Sequence, residues 1–212
     1  MQKIVQALFF ISIVKPLMAL VLGANIRHAE RMPSRGAAIL AANHNSHLDT
    51  LLLMSLYPIS NLHKIRPVAA TDYFMRNKCL AWFALNIMHI LPLERRPKKG
   101  VDTLAHIEVA LKNGDILILF PEGSRGEPER REPFKTGIAH IMQRMPYTCV
   151  TAIFMQGLGK ALPKGDWLPV PFFADMFVAE PFHWQGGKEA TMQRLETEFQ
   201  ALEKQGRFDS WI

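Results

Sequence analysis

The chain has 212 residues, 49% hydrophobic and 21% charged. This excludes a disordered or low-complexity protein and fits one domain with a core of its own, or one domain with a short appendage. Lys and Arg number 25 against 19 Asp and Glu, a formal net charge of +6, which suits an anionic partner: nucleic acid, acidic lipid or a phosphorylated substrate. Two cysteines, Cys79 and Cys149, exclude a disulfide framework and a cysteine-rich zinc site, and favour a reducing, cytosol-facing compartment.

Residues 4–23, IVQALFFISIVKPLMALVLG, carry one charge, Lys15. A spanning helix needs about 20 apolar residues, so the run is just long enough. Lys15-Pro16 falls at its centre, where a charge is costly and proline removes a helical hydrogen bond. Two short helices lying in a membrane interface fit at least as well. A signal peptide ranks last, because the n-region holds only Lys3 and no clean small-x-small site precedes a polar start. A buried core helix is the remaining alternative. If the run spans, Arg27, Arg31 and Arg35 place the rest of the chain in the cytoplasm. Residues 1–26 are therefore expected to form a membrane-associating helical segment and 27–212 the domain that follows.

Next come short apolar runs alternating with helical patterns. Residues 37–42 (AAILAA), 66–71 (RPVAAT), 89–94 (HILPLE), 115–120 (DILILF) and 148–154 (TCVTAIF) read as buried strands. Residues 48–57, 73–88, 101–113 and 137–145 read as helices between them, with Val101, Leu104, Ile107 and Leu111 forming an apolar stripe at helical spacing. This order predicts a single α/β domain with a largely parallel central sheet flanked by helices, preceded by the N-terminal helical segment. Residues 171–180 add a candidate strand and 188–205 a surface-type helix. There is no internal repeat and no linker long enough to divide the domain.

Three segments carry chemistry. NHNSHLDT (43–50) follows the first strand, and strand ends in open α/β sheets are where ligands bind. A helix starting near Ser46 or His47 would put Asp49 in its first turn, within reach of His44. A carboxylate on an imidazole fixes its tautomer and raises its basicity. The same residues fit a capping box, Ser46-x-x-Asp49, and Asn43 and Asn45 fit ordinary turn chemistry. H-x-x-H-x-D is also a conceivable metal cluster of His44, His47 and Asp49, although a third or fourth ligand at suitable spacing is missing. FPEGSRG (120–126) follows another strand. Gly123 and Gly126 allow close backbone approach to an anion, and Arg125 is a bidentate phosphate donor. Glu122 fits there as a partner for a hydroxyl or an arginine. A serine-hydrolase elbow fails, since Glu122 stands where glycine is needed. LPLERRPKK (91–99) places Arg95 and Arg96 after a third strand, where arginines suit phosphate, and Lys98 and Lys99 on a solvated loop.

N-H-x-x-x-x-D, then an Arg after a short apolar strand, then F-P-E-G-S-R resemble the glycerolipid (lysophospholipid) acyltransferase family, in the manner of bacterial 1-acylglycerol-3-phosphate acyltransferases. The likeness runs from about residue 36 to 153, and EPFKTGIAHI (132–141) matches the family's segment after its F-P-E-G block. It departs at Glu94, where the family usually has Asp, and at Thr151, where it usually has Pro. The resemblance implies His44 as catalytic base, Asp49 as its partner, and an acceptor site lined by Arg95, Glu122, Gly123, Ser124 and Arg125. It implies acyl transfer from an acyl-CoA or acyl carrier protein thioester to the free hydroxyl of a lysophospholipid, most simply 1-acylglycerol 3-phosphate, at the cytoplasmic face of a membrane. No cofactor, metal or nucleic acid is expected, and Cys79 and Cys149 are expected to be packing residues. A metal-dependent hydrolase and a membrane-bound, non-catalytic homologue are the alternatives.

Overall fold

The computed structural model describes residues 2–75, 77–95, 100–127, 130–162, 168 and 170–206. Seven strands form one sheet among these residues: β1 (Leu22–Arg27), β2 (Ala38–Ala42), β3 (Ile65–Ala70), β4 (Leu91–Leu93), β5 (Ile116–Leu119), β6 (Cys149–Gln156) and β7 (Phe172–Val178). Their spatial order is β1-β7-β6-β2-β5-β3-β4. β6, β2, β5, β3 and β4 pair in parallel, whereas β7 is antiparallel to β6 and β1 is parallel to β7. The sheet is thus largely parallel, as expected, with a reversed edge.

β2 and β5 are buried along their whole length because helices cover both faces. Alternate residues divide between two apolar clusters. Ala38, Leu40, Ala42, Ile116 and Ile118 pack with Leu48, Leu52 and Leu53 of α3 (Leu48–Ser55) and with the N-terminal helix. Ile39, Ala41, Leu117 and Leu119 pack with α6 (Ala105–Lys112), α7 (Gly137–Arg144) and α9 (Lys188–Gln205). Each parallel crossover carries its helix to one of these two faces. The loops after β2, β4 and β5, which hold the three motifs, therefore gather at one edge of the sheet.

The N-terminal run is one continuous helical stretch, not two separate helices. α1 (Gln2–Phe9) passes through a π-turn (Phe10–Val14) into α2 (Lys15–Val21). The widened turn lies immediately before Lys15-Pro16 and accommodates the residue that cannot donate a helical hydrogen bond. Gln6, Phe10, Val14, Met18 and Leu22 recur every four residues and are buried. The opposite side leaves Ile4, Leu8, Ile11 and Leu20 exposed. Gln2–Leu20 is long and apolar enough to cross a membrane by length and composition, yet one stripe of it is part of the domain's core. The chain then enters β1 directly, so residues 22–26 belong to the sheet.

The stretch 73–88 is two helices: α4 (Thr71–Phe74) and α5 (Lys78–Asn86). Asn77 separates them by capping, its Oδ1 accepting the N–H groups of Cys79 and Leu80. α8 (Leu158–Ala161) is a single turn after β6. Cys79 is exposed on α5, which corrects its expected packing role, while Cys149 is half-buried.

The two sides of the N-terminal helix make opposite predictions. Phe10 is 0% and Leu20 81% exposed. Phe10→Ala should lower the unfolding free energy by about 3–5 kcal/mol and Leu20→Ala by less than about 0.5 kcal/mol, measured by urea denaturation. Similar losses for the two would mean that the helix does not dock as described.

Candidate functional site

The turn after β2 is built around the carboxylate of Asp49. Its Oδ2 accepts the Nδ1–H of His44 at 2.9 Å, the Asn45 N–H at 2.8 Å and the Ser46 N–H at 2.9 Å. One oxygen thus serves both the back-bond expected of a capping box, from the Ser46 N–H, and the contact with the imidazole. Asp49 is buried, and the His44 side chain is 18% exposed. An ionised carboxylate only accepts, so the proton on Nδ1 belongs to histidine and Nε2 carries the lone pair. Ser46 completes the turn, accepting the Leu48 N–H and donating to the Leu162 carbonyl. Asn43 spans the strand ends, donating to the Met155 carbonyl and accepting the Met155 N–H, each at 2.7 Å.

FPEGSRG grips His44 from the other side. The His44 ring stacks on Phe120, with centroids 3.9 Å apart. The His44 N–H donates to Glu122 Oε1 at 3.0 Å, and its carbonyl accepts the Gly126 N–H at 3.0 Å. Glu122 Oε2 accepts the Glu132 N–H at 3.2 Å. Glu122, which the resemblance placed on the acceptor surface, is thus buried with both oxygens engaged by main-chain donors. Burial pushes its carboxyl up to about 7, against those two donors and the nearby Arg131, which favour the charged form.

Two arginines meet at the FPEGSRG turn, taken as the mouth of the site: Arg125 belongs to it and Arg95 touches it. Arg95 donates to the Gly123 carbonyl and lies 3.8 Å from Asp72. Arg125 donates to the Tyr73 hydroxyl at 3.3 Å and lies over the Tyr73 ring. Gly123 has φ +74°, and Lys135 folds so closely over it that an added Cβ would lie 2.6 Å from Nζ. The left-handed φ favours glycine, whereas the Lys135 side chain could move aside. Ser124 is exposed beside them. Arg96, Lys98 and Lys99 lie outside the described residues.

His47 does not join His44 and Asp49. Its side chain is exposed and its Nε2 lies 3.4 Å from the Tyr73 hydroxyl. Among the described residues no three His, Cys, Asp or Glu are placed to hold a metal ion. The metal-hydrolase alternative therefore gains no support from the geometry.

Sequence reading missed Phe120 as the ring under His44, Tyr73 as the link between His47 and Arg125, and Arg131. Arg131 makes a bidentate pair with Glu196 and a further bond to Glu203 of α9, and it lies over the rings of Phe134 and Phe199. It anchors the segment whose Glu132 N–H holds Glu122. None of these contacts has a local sequence signal, except that Tyr73 and Arg131 adjoin the motifs' connecting loops.

Glu122 leaves a pH signature. Its carboxyl binds a proton more tightly in the folded chain than at its ordinary value of 4.5. The stability this contributes is complete below about 4.5 and is lost as pH rises through about 7. The unfolding free energy should therefore fall more steeply over that interval in the wild type than in Glu122→Gln, measured by urea titrations at several pH values. Equal slopes would mean that folding does not shift this carboxyl.

A family model described as Acyltransferase matches residues 23–155. A chloroplastic 1-acyl-sn-glycerol-3-phosphate acyltransferase of Arabidopsis thaliana is 32% identical over 144 residues, 67% of this chain and 38% of that protein. A 1-acyl-sn-glycerol-3-phosphate acyltransferase of Saccharomyces cerevisiae is 31% identical over 133 residues, 60% of this chain and 42% of that protein. The chain thus spans about two fifths of the length of these curated relatives. The crystal structure of the 1-acyl-sn-glycerophosphate acyltransferase PlsC from Thermotoga maritima superposes with a TM-score of 0.76 at 20% identity, covering 97% of this chain and 81% of that one, so the fold is shared. With the matched region spanning most of the sheet and all three motifs, the chain belongs to the acyltransferase family.

Proposed function

We propose that this protein transfers a fatty acyl group from an acyl thioester to the free hydroxyl of a lysophospholipid, with 1-acylglycerol 3-phosphate as the acceptor. The observation that carries this reading is the His44–Asp49 pair set beside a mouth bearing Arg95 and Arg125. The relatives named for the same reaction support it.

His44 Nε2 takes the proton from the acceptor hydroxyl as its oxygen attacks the thioester carbonyl. Asp49 holds the ring and stabilises the imidazolium. As the tetrahedral intermediate collapses, the C–S bond breaks and the imidazolium returns its proton to the departing thiolate. The products are an ester and a free thiol, and His44 is restored. A thioester is already activated, so no protein nucleophile is needed, and neither Cys79 nor Cys149 lies in the site. Arg95 and Arg125 hold the acceptor phosphate and so bring its hydroxyl to His44. The donor is an acyl-CoA or acyl carrier protein, taken as co-substrate with no metal or other cofactor. The N-terminal helix lies on the cytoplasmic face of the membrane as a monotopic anchor, because its buried stripe already faces its own domain.

Thiol release from acyl-CoA, and separately from an acylated acyl carrier protein, with a panel of lysolipids tests the reading. Release that depends on 1-acylglycerol 3-phosphate supports it, and turnover with none of the panel would refute it. His44→Ala should reduce transfer by at least about 10²–10⁴-fold with the fold unchanged by circular dichroism. Asp49→Asn should keep most of the cap, staying within about 1 kcal/mol of wild-type stability, yet turn over at least about a hundredfold more slowly. Near-wild-type turnover by either variant would remove the pair from the mechanism.

Arg95→Ala should raise the acceptor KM about ten- to a hundredfold, the loss of a charge-assisted contact of about 1.5–3 kcal/mol. Lysine, which lacks the planar fork, should recover only part. An unchanged acceptor KM with weaker donor binding would assign Arg95 to the donor.

A further inference from the structure

Outside the site, α5 is the element whose surroundings do not match its composition. It reads KCLAWFALN, and of its nine residues only Ala84 is buried. Leu80, Trp82 and Leu85 are exposed, Trp82 at 57%, and Tyr73 of α4 and Met75 just after it are exposed as well. Isolated exposed apolar side chains are ordinary, whereas a run of them on adjoining helices marks an interaction surface.

Two features identify the occupant. The first is continuity with the N-terminal helix. Phe9 of α1 meets Phe83 of α5 edge to face at 5.3 Å, and the Gln2 amide donates to Asn86 Oδ1 at 2.7 Å. The exposed Ile4, Leu8 and Ile11 thus flank the same side of the domain. The second is charge. Helices α1, α2, α4 and α5 carry Lys3, Lys15 and Lys78 against one acid, Asp72, which faces Arg95. An apolar face with tryptophan, bordered by cations in a chain of net charge +6, suits an anionic bilayer surface.

We propose that α4 and α5 dock into the surface of an anionic phospholipid bilayer alongside α1, as a second membrane contact that faces the mouth of the site toward lipid. Tyr73 supplies the link, since its hydroxyl accepts from Arg125 and lies beside His47 at the rim. A lysolipid could then reach His44 from the leaflet with its acyl chain still in lipid. That consequence rests on the proposed function, whereas the docking itself does not.

The test uses the full chain with vesicles of phosphatidylethanolamine and phosphatidylglycerol. Trp82→Glu and the double variant Leu80→Glu/Leu85→Glu alter exposed positions, and circular dichroism checks that both fold. Co-sedimentation with vesicles, and transfer to lysophosphatidate embedded in them, should each fall at least about tenfold. Transfer to a water-soluble short-chain lysophosphatidate should stay within about twofold of wild type. Unchanged vesicle binding would overturn the proposal. Equal loss with both acceptors would assign the face to substrate binding and overturn it too. A soluble oligomer dissociated by these changes, with vesicle binding intact, would give the face to a second copy of the chain. If the wild type transfers to neither acceptor, the functional reading fails, and co-sedimentation still decides the docking.

Discussion

Asp49 Oδ2 sits out of water at the start of α3 and accepts three hydrogen bonds, two from the main chain of the turn and one from the His44 ring. A buried carboxylate is tolerated only when such donors replace its hydration. The donors here are supplied by the residues that the carboxylate has to orient. The carboxylate ties the turn together, and the turn supplies the donors that stand in for its water. Helix initiation and the setting of the imidazole are therefore one event.

The histidine is also fixed from behind. Its ring lies on Phe120, its N–H on Glu122 and its carbonyl on the Gly126 N–H. All three contacts come from the segment that follows β5, which joins the histidine after β2 to F-P-E-G-S-R because β2 and β5 are neighbours in the parallel sheet. Glu122 in turn depends on the Glu132 N–H, and the next residue back, Arg131, is pinned to α9 by two glutamates. The site is thereby tied to a helix beyond the family-matched region. Preorganisation of this kind leaves less reorganisation to be done when the acceptor arrives.

The parts that sequence reading identifies are those whose signal is local. The strands β2 and β5 are short, wholly apolar runs, β6 is mostly so, and their burial follows from helices on both faces. His44 and Asp49 lie within one turn, so their meeting needs only a helix start. β1 escaped notice because LGANIR is mostly exposed and continues from an apolar helix without a break; it becomes a strand only by pairing with β7. The split between α4 and α5 depends on the cap at Asn77, which the apolar periodicity of 73–88 conceals. The role of Glu122 is not legible along the chain, because its partners are main-chain groups 78 and 10 residues away rather than a hydroxyl or an arginine. Arg95 meets the Gly123 carbonyl and Arg125 the Tyr73 hydroxyl, and both contacts are tertiary and carry no pattern along the chain.

The central claim is that Asp49 holds His44 with its proton on Nδ1 and its lone pair on Nε2. Nitrogen-15 NMR of histidine-labelled protein at neutral pH, with His44 assigned through its Ala variant, reads this directly. The account predicts a protonated Nδ1 and a pyridine-type Nε2 for His44 in the wild type, with that preference lost in Asp49→Asn. A proton resident on Nε2, or a tautomer unaffected by Asp49→Asn, would contradict it.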